Sequence, residues 1–323
     1  MTPLPLRRDS AKGIAFLIAG IAVFSVQDLI LKLLSGGYPL HQAMVLRSLT
    51  ALPFLLILVH LSGGVKTLFT PGWPRMVMRG LIMFIAYTAY YLALAALPMA
   101  TTVALYFSAP LMITVLSVLM LHEQVSLPRW LAVLAGFVGV IVMVRPGSEL
   151  FDWAALLPIL SGLAYGISMI SARNQGSTQT AAALAFHGNA VFLICALILS
   201  AIFGSGAFAS EQHKSLAFLL RGWATPSLTD VALMMACGVI AAAGLTLLTQ
   251  AYRIAEANTV APFEYTGMIW GVLYGWLIWH DWPDSTAWLG ITIIIGAGLA
   301  VLWREQIEKK PDPSSRSEPR QFD

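Results

Sequence analysis

Ten apolar stretches follow one another along the chain, at about 13–34, 41–62, 76–97, 99–121, 129–145, 152–172, 180–204, 229–254, 256–279 and 285–303. A helix rises 1.5 Å per residue, so some 20 residues cross the ~30 Å hydrocarbon of a bilayer. Lipid offers no partner for a bare N–H or C=O, which leaves the helix as the natural spanning element for runs of this length. The pattern predicts an all-α integral membrane protein with ten transmembrane helices. Composition agrees: 58% of the 323 residues are hydrophobic and 11% charged, where soluble domains carry about 25% charged.

The connections are mostly short and punctuated by Gly, Pro and Ser, as in Ser35-Gly36-Gly37-Tyr38-Pro39 and Arg145-Pro146-Gly147-Ser148. The longest, about 205–228, is too short for a catalytic domain. Residues 1–12 read as a cytoplasmic N-terminus, and 309–323, polar and rich in Pro and Ser, as a disordered cytoplasmic tail. The first apolar run is too long for a signal-peptide core and lacks a clear cleavage site, so it is expected to be retained as the first helix. Cys195 and Cys237 lie in apolar runs and read as small buried hydrophobes without a disulfide.

Orientation follows from Lys and Arg. With the N-terminus in the cytoplasm, 14 of the 19 basic residues fall on the inner side, among them Arg7, Arg8, Lys12, Lys66, Arg75, Arg79, Arg129, Arg304 and Lys309. The bias predicts both termini inside. It also accounts for the net charge of +3 without invoking nucleic acid.

The chain repeats weakly on itself. Ala100-Thr101-Thr102-Val103-Ala104 lies over Ala257-Asn258-Thr259-Val260-Ala261, His122-Glu123 over His280-Asp281, Trp130 over Trp288, and Arg145 over Arg304. Earlier in the halves, Arg47 lies over His187. Residues 13–145 and 152–304 therefore read as two five-helix units. An odd number of passes per unit forces the second to enter the membrane upside down, and inverted repeats of this kind enclose a solute site near the midplane in transporters.

With LHEQVSLPRWLAVLAGFVGVIVMVRPG closing the first unit and APFEYTGMIWGVLYGWLIWHDWPDSTAWLGITIIIGAGLAVLW in the second, the chain resembles the EamA-like family of the drug/metabolite transporter superfamily over essentially all of 13–304. The resemblance implies ten helices in two inverted five-helix repeats around a central cavity. It also implies a multi-pass protein of the bacterial inner membrane, acting as a monomer or weak homodimer. Family members carry amino acids, cofactor-like metabolites such as riboflavin and S-adenosylmethionine, or cationic drugs. Export is the first expectation for direction, and metabolite uptake the alternative.

Few charges enter the spans. Of 16 acidic residues only Asp28 and Glu264 lie well inside, and a charged side chain at the centre of a helix costs roughly 2.5–3.5 kcal/mol on insertion scales. Such residues should face a protein interior or a wet cavity. Asp28 and Lys32, four apart on the first helix, share a face, and Arg47 sits at similar depth on the second. The three read as an outer charged gate or a carboxylate-binding patch, or else as a self-neutralising ion cluster with Lys32 reaching to the surface. Glu264 has no basic neighbour in sequence. His187, the counterpart of Arg47, is its expected partner, and imidazole titrates near neutrality, so the pair can exchange a proton for solute or bind an amine.

Aromatic and polar side chains complete the expected site: Tyr87 and Tyr91 on the third span, Tyr106 on the fourth, Tyr265 and Trp270 on the ninth, and Gln250 on the eighth. Tyrosine presents an apolar body and a hydroxyl, which suits a flat, polar organic solute. Gly136, Gly139, Gly290, Gly296 and Gly298 read as close packing of the fifth and tenth spans. No GxxxxGK[ST] loop is present, so nucleotide hydrolysis is not the expected energy source. The His122-Glu123 pair lacks the second histidine of a zinc-protease motif, and neither cysteine has metal-ligand spacing. Catalytic residues, metal and cofactor are not expected. The predicted function is secondary transport of a small organic metabolite, with proton coupling through Glu264. The contrasting class is a lipid-modifying membrane enzyme.

Overall fold

The computed structural model describes residues 10–69, 73–122, 124–149, 151–174, 180–255 and 261–308. Among them every regular element is helical. In chain order these are α1 (Ser10–Leu34), α2 (Leu40–Leu61), α3 (Trp73–Ala96), α4 (Met99–Tyr106), α5 (Ala109–Leu121) and α6 (Leu127–Val144). There follow α7 (Leu156–Asn174), α8 (Ala181–Phe203), α9 (Lys214–Leu220), α10 (Leu228–Ile254), α11 (Gly267–Trp279) and α12 (Ser285–Glu308). Short 3-10 turns occupy Val65–Phe69, Trp153–Ala155 and Ala261–Thr266.

Among the described residues seven segments are long and apolar enough to cross a membrane: Ala11–Leu34, Leu40–Leu61, Trp73–Ala96, Met99–Met120, Leu127–Val144, Ala182–Phe203 and Ser285–Arg304. Trp153–Ser168 and Leu228–Gly244 are shorter apolar helices. Helix ends agree with the sequence expectation to within a few residues, with two exceptions.

The fourth span is interrupted at Phe107–Ser108, between α4 and α5. Pro110 has no amide hydrogen, so the bond it would give to the carbonyl of Tyr106 cannot form. The chain bridges the gap with Ser108 N–H to Leu105 O and Leu111 N–H to Ser108 O, at 3.1 and 3.0 Å. The ninth span is likewise not one helix in its described part. Ala261–Thr266 winds as a tighter 3-10 turn before α11 begins at Gly267. Glu264 therefore sits on that turn and not within a continuous α-helix.

Helix boundaries recur after these interruptions. Ala109 and Gly267, Leu121 and Trp279, and Leu127 and Ser285 each stand 158 residues apart. His122 and His280, at the same spacing, both close their helices in the left-handed conformation, with φ of 54° and 56°. Packing is equally ordered: α1 lies on α10 and α3 on α7, α2 on α8, α6 on α12, and α4 on α11.

Side chains sort by face as a bundle in lipid requires. Along α6, Val133, Gly136, Gly139 and Val140 are buried, while Leu131, Leu134, Val138 and Ile141 are exposed. An apolar stripe on the outside is costly in water and favourable in hydrocarbon. On the inner stripe, a Cβ at Gly139 would come within 2.9 Å of Ile293 and one at Gly290 within 2.3 Å of Met143, so these glycines set the α6–α12 distance. Gly296 is a correction to the expected glycine seam: a Cβ there would meet nothing within 4 Å. Cys237 is buried and Cys195 only partly so; both are free thiols. Expectations for residues 1–9, Glu123, the repeat segment 256–260 and the tail 309–323 lie outside the described residues.

Candidate functional site

Helical spacing gathers the site. On α1, Phe24, Gln27 and Asp28 lie three and four apart, so one face presents all of them; on α3, Met83, Tyr87, Tyr90 and Tyr91 do the same. These two faces meet Tyr106 and Phe107 at the α4 break, Ser161 and Tyr165 of α7, and Glu264 of the 3-10 turn. Together they line a cavity with about 1060 Å³ of atom-free space, its open mouths included.

The tyrosines form a connected wall. Ring centres of Tyr90 and Tyr91 are 5.6 Å apart, those of Tyr90 and Tyr106 5.4 Å, and those of Tyr106 and Tyr165 6.0 Å. Tyr90 donates its hydroxyl hydrogen to Asp28 Oδ2 at 3.0 Å. Beside that contact, Gln27 Nε2 donates to the Tyr91 hydroxyl and Arg47 Nε donates to Gln27 Oε1 at 3.1 Å. The carboxylate of Asp28 is thus held by a neutral donor, with the Arg47 guanidinium within electrostatic range. Glu264 lies within the same range of Tyr106 and Tyr165. The result is a cavity with apolar aromatic faces, phenolic donors and two carboxylates, suited to an uncharged or cation-bearing planar solute.

A second cavity, with about 1090 Å³ of atom-free space, adjoins it and shares Phe24, Met83 and Tyr87. Arg47, Arg79, Asn189 and Phe192 line it. Arg79 is the main residue that sequence reading put elsewhere, among the inner-face charges. The helix α3 begins at Trp73 and so carries it inside, where its Nε donates to Ser168 Oγ at 3.0 Å. Its i, i+4, i+8 spacing to Met83 and Tyr87 was the available signal. Gln27 was also passed over; its position next to Asp28 was the clue.

Several expected site residues stand apart. Lys32 lines neither cavity: its Nζ donates to the carbonyls of Leu94 and Leu97, at 2.7 and 2.6 Å, and lies 5.1 Å from the centre of the Trp279 ring. It caps the C-terminal end of α3, where the last carbonyls of a helix lack intrahelical donors. His187 is not brought to Glu264. Its Nδ1–H donates to Ala183 O at 2.9 Å within α8, a helix that packs on α2 and α3. Tyr265 is buried behind Phe107, ring centres 4.9 Å apart, with its hydroxyl against Gly298. Trp270 pairs with Tyr274 at 5.8 Å, and neither it nor Gln250 lines these cavities. Tyr87, Tyr91, Tyr106, Asp28 and Glu264 do come together, and Arg47 stands at the junction.

The model of the EamA-like transporter family matches residues 11–145. A riboflavin transporter of Rhizobium johnstonii is 31% identical over 264 residues, covering 81% of this chain and 80% of the relative. An S-adenosylmethionine uptake transporter of Rickettsia conorii is 27% identical over 300 residues, covering 91% and 93%. A riboflavin transporter of Vibrio cholerae is 27% identical over 318 residues, covering 97% and 99%. One crystal structure shares the fold, with a TM-score of 0.62 at 16% identity, over 91% of this chain and 98% of that one.

Proposed function

The chain belongs to the EamA-like transporter family, and from that premise we propose that it carries a planar organic metabolite across a bacterial inner membrane through the tyrosine-walled cavity. It is a multi-pass membrane protein, and its relatives are named as transporters of small molecules and not as enzymes. The observation that carries the proposal is the cavity itself, where Tyr87, Tyr90, Tyr91, Tyr106 and Tyr165 surround Asp28 and Glu264. Flavin-like and adenosyl-like solutes are the proposed class, since both have a flat ring system for the tyrosines and polar edges for their hydroxyls. Inward transport is the reading adopted, supported by relatives whose printed names specify uptake. The initial expectation of export has no such support here.

The proposed architecture is ten passes in two inverted five-pass halves, 13–145 and 152–304, with both termini in the cytoplasm. Three observations support it. The 158-residue recurrence of helix ends and left-handed histidine caps is one. The second is the packing scheme, which maps onto itself when each pass is exchanged for the one five later: α1 on α10 becomes α7 on α3, while α2 on α8 and α6 on α12 map onto themselves. The third is the interruption of the fourth and ninth passes beside the cavity, the way many transporters expose backbone to a solute. Movement of one half against the other would open the cavity to each side in turn. Asp28 and Glu264 are the proposed proton-exchanging groups, and a functional monomer is proposed, supported by a cavity built within one chain.

Uptake of labelled riboflavin and of S-adenosylmethionine into proteoliposomes, with and without an imposed pH gradient, tests this reading. Saturable accumulation of either supports it. Glu264→Gln is expected to remove the pH dependence with expression intact. Monodisperse protein that accumulates neither solute, or that converts one chemically, overturns it.

A further inference from the structure

We infer that the second cavity is an anion site in series with the first, and that the transported solute carries a carboxylate or phosphate which Arg47 and Arg79 receive. The inference rests on the reading of the first cavity as the solute site and deepens it. Both arginines are partly buried among apolar helices, where an unneutralised charge is costly. Among the described residues no carboxylate lines this cavity; Asp28 of the first cavity lies within electrostatic range of Arg47, but no described acid forms an ion pair with either guanidinium. Each arginine spends its Nε on a neutral partner, Gln27 for Arg47 and Ser168 for Arg79. That leaves their Nη groups to be met by something that enters from outside.

The geometry suits an anion. Arg47 is backed by the ring of Phe192, 5.8 Å from its guanidinium carbon to the ring centre, and Phe192 packs edge-on against Tyr87 at 5.5 Å. Tyr87 lies within electrostatic range of both arginines and belongs to both cavities. Guanidinium is the group best matched to carboxylate and phosphate, through paired N–H donors. A Cβ at Gly188 would meet nothing within 4 Å, so this wall faces open space. A solute with its ring system among the tyrosines would extend its anionic group past Tyr87 to Arg47 and Arg79. That favours the cation-bearing adenosyl class with its carboxylate over riboflavin, which has neither carboxylate nor phosphate.

The test uses small probes and the full chain in detergent. Binding of labelled benzoate is compared with that of benzamide, its uncharged analogue, and inorganic phosphate competes as the second arm. The wild type is expected to bind benzoate saturably and at least tenfold more tightly than benzamide. Arg47→Gln and Arg79→Gln should each remove that preference, while Arg79→Lys, which keeps the charge, retains part of it. Gly188→Asp puts a carboxylate on the wall where a Cβ would meet nothing within 4 Å, and should abolish benzoate binding in a protein whose fold is confirmed by its denaturation midpoint. Displacement of benzoate by phosphate assigns the site to both anions, and its failure assigns it to carboxylates. Equal binding of benzoate and benzamide, or a preference that survives Gly188→Asp and both Gln variants, overturns the inference. Solute flux that depends on Asp28 while benzoate shows no preference refutes the anion site alone; benzoate preference without solute flux refutes the transport reading instead.

Discussion

Tyr90 of α3 and Asp28 of α1 meet at 3.0 Å inside the first cavity, the phenol donating to the carboxylate. With the bonds from Gln27 to Tyr91 and from Lys32 to Leu94 O, the contact joins α1 to α3, and it holds the acid in one orientation toward the solute space. Tyr90→Phe should leave the acid without this donor, at about 1–2 kcal/mol, or roughly 5- to 30-fold in apparent solute affinity. Asp28→Asn keeps the shape and removes the charge, and should cost at least as much. Initial uptake rates against concentration check both, and unchanged kinetics in both would take Asp28 out of the site.

Lys32 gives a different prediction. Its two bonds to Leu94 O and Leu97 O tie α1 to the end of α3. Lys32→Met keeps the apolar stem and strands both carbonyls, at a cost of about 2 kcal/mol. The expected result is a denaturation midpoint lower by several degrees with solute affinity unchanged. A shift in affinity at constant stability would return Lys32 to the gate that the sequence suggested.

Tyr265 was expected in the site and instead packs on α12. Its hydroxyl is buried with no hydrogen-bond partner among the described residues. Tyr265→Phe removes that oxygen and should be neutral or stabilising, with transport retained. Gly298→Ala does the reverse, since the added Cβ would lie 1.6 Å from the same oxygen. Overpacking of this kind costs about 1–3 kcal/mol. Thermal denaturation of the two variants in the same detergent is the comparison to make.

Outside the spans, Arg145 at the end of α6 pairs with Asp284 at the start of α12, and Asp284 Oδ1 also accepts from Ala287 N–H at 2.7 Å. The hydrogen bond from Arg145 is the first reason the Asp284 carboxyl is held below its ordinary value; the bond from Ala287 is the second. A carboxyl depressed on folding stabilises above its unfolded pKa, ~3.9, and loses that contribution as pH falls through the lower folded value. Because Asp284 is exposed, solvent screens the pair and the effect is small. Asp284→Asn should lower the denaturation midpoint slightly at pH 7, and the gap to wild type should close below about pH 4. A gap that widens on acidification would contradict the assignment.

The sequence makes the fold legible because apolar runs of spanning length have few alternatives in lipid. The breaks at Phe107–Ser108 and Ala261–Thr266 are less legible: Pro110 and Pro262 are visible, yet whether a proline kinks or interrupts a helix depends on what its neighbours offer the freed carbonyls. Within the site, Asp28, Glu264 and the α3 tyrosines were readable because charges and phenols stand out in apolar spans. His187 misled because a weak repeat supplies a counterpart position and not a distance. Lys32 misled because an i, i+4 charge pair in sequence does not reveal that two carbonyls of another helix offer the base a better partner. Arg79 was missed because a basic residue near a span end reads first as topology.

The most direct measurement concerns the wall of the first cavity. Ser161 lines it and is buried, so a lone cysteine in its place, with Cys195 and Cys237 changed to Ala, reports occupancy through its rate of maleimide labelling. Riboflavin or S-adenosylmethionine, whichever the wild type accumulates, should slow labelling of Ser161→Cys and leave a Trp270→Cys control unaffected. Labelling of Ser161→Cys at the same rate with and without a solute that the protein transports would contradict the account.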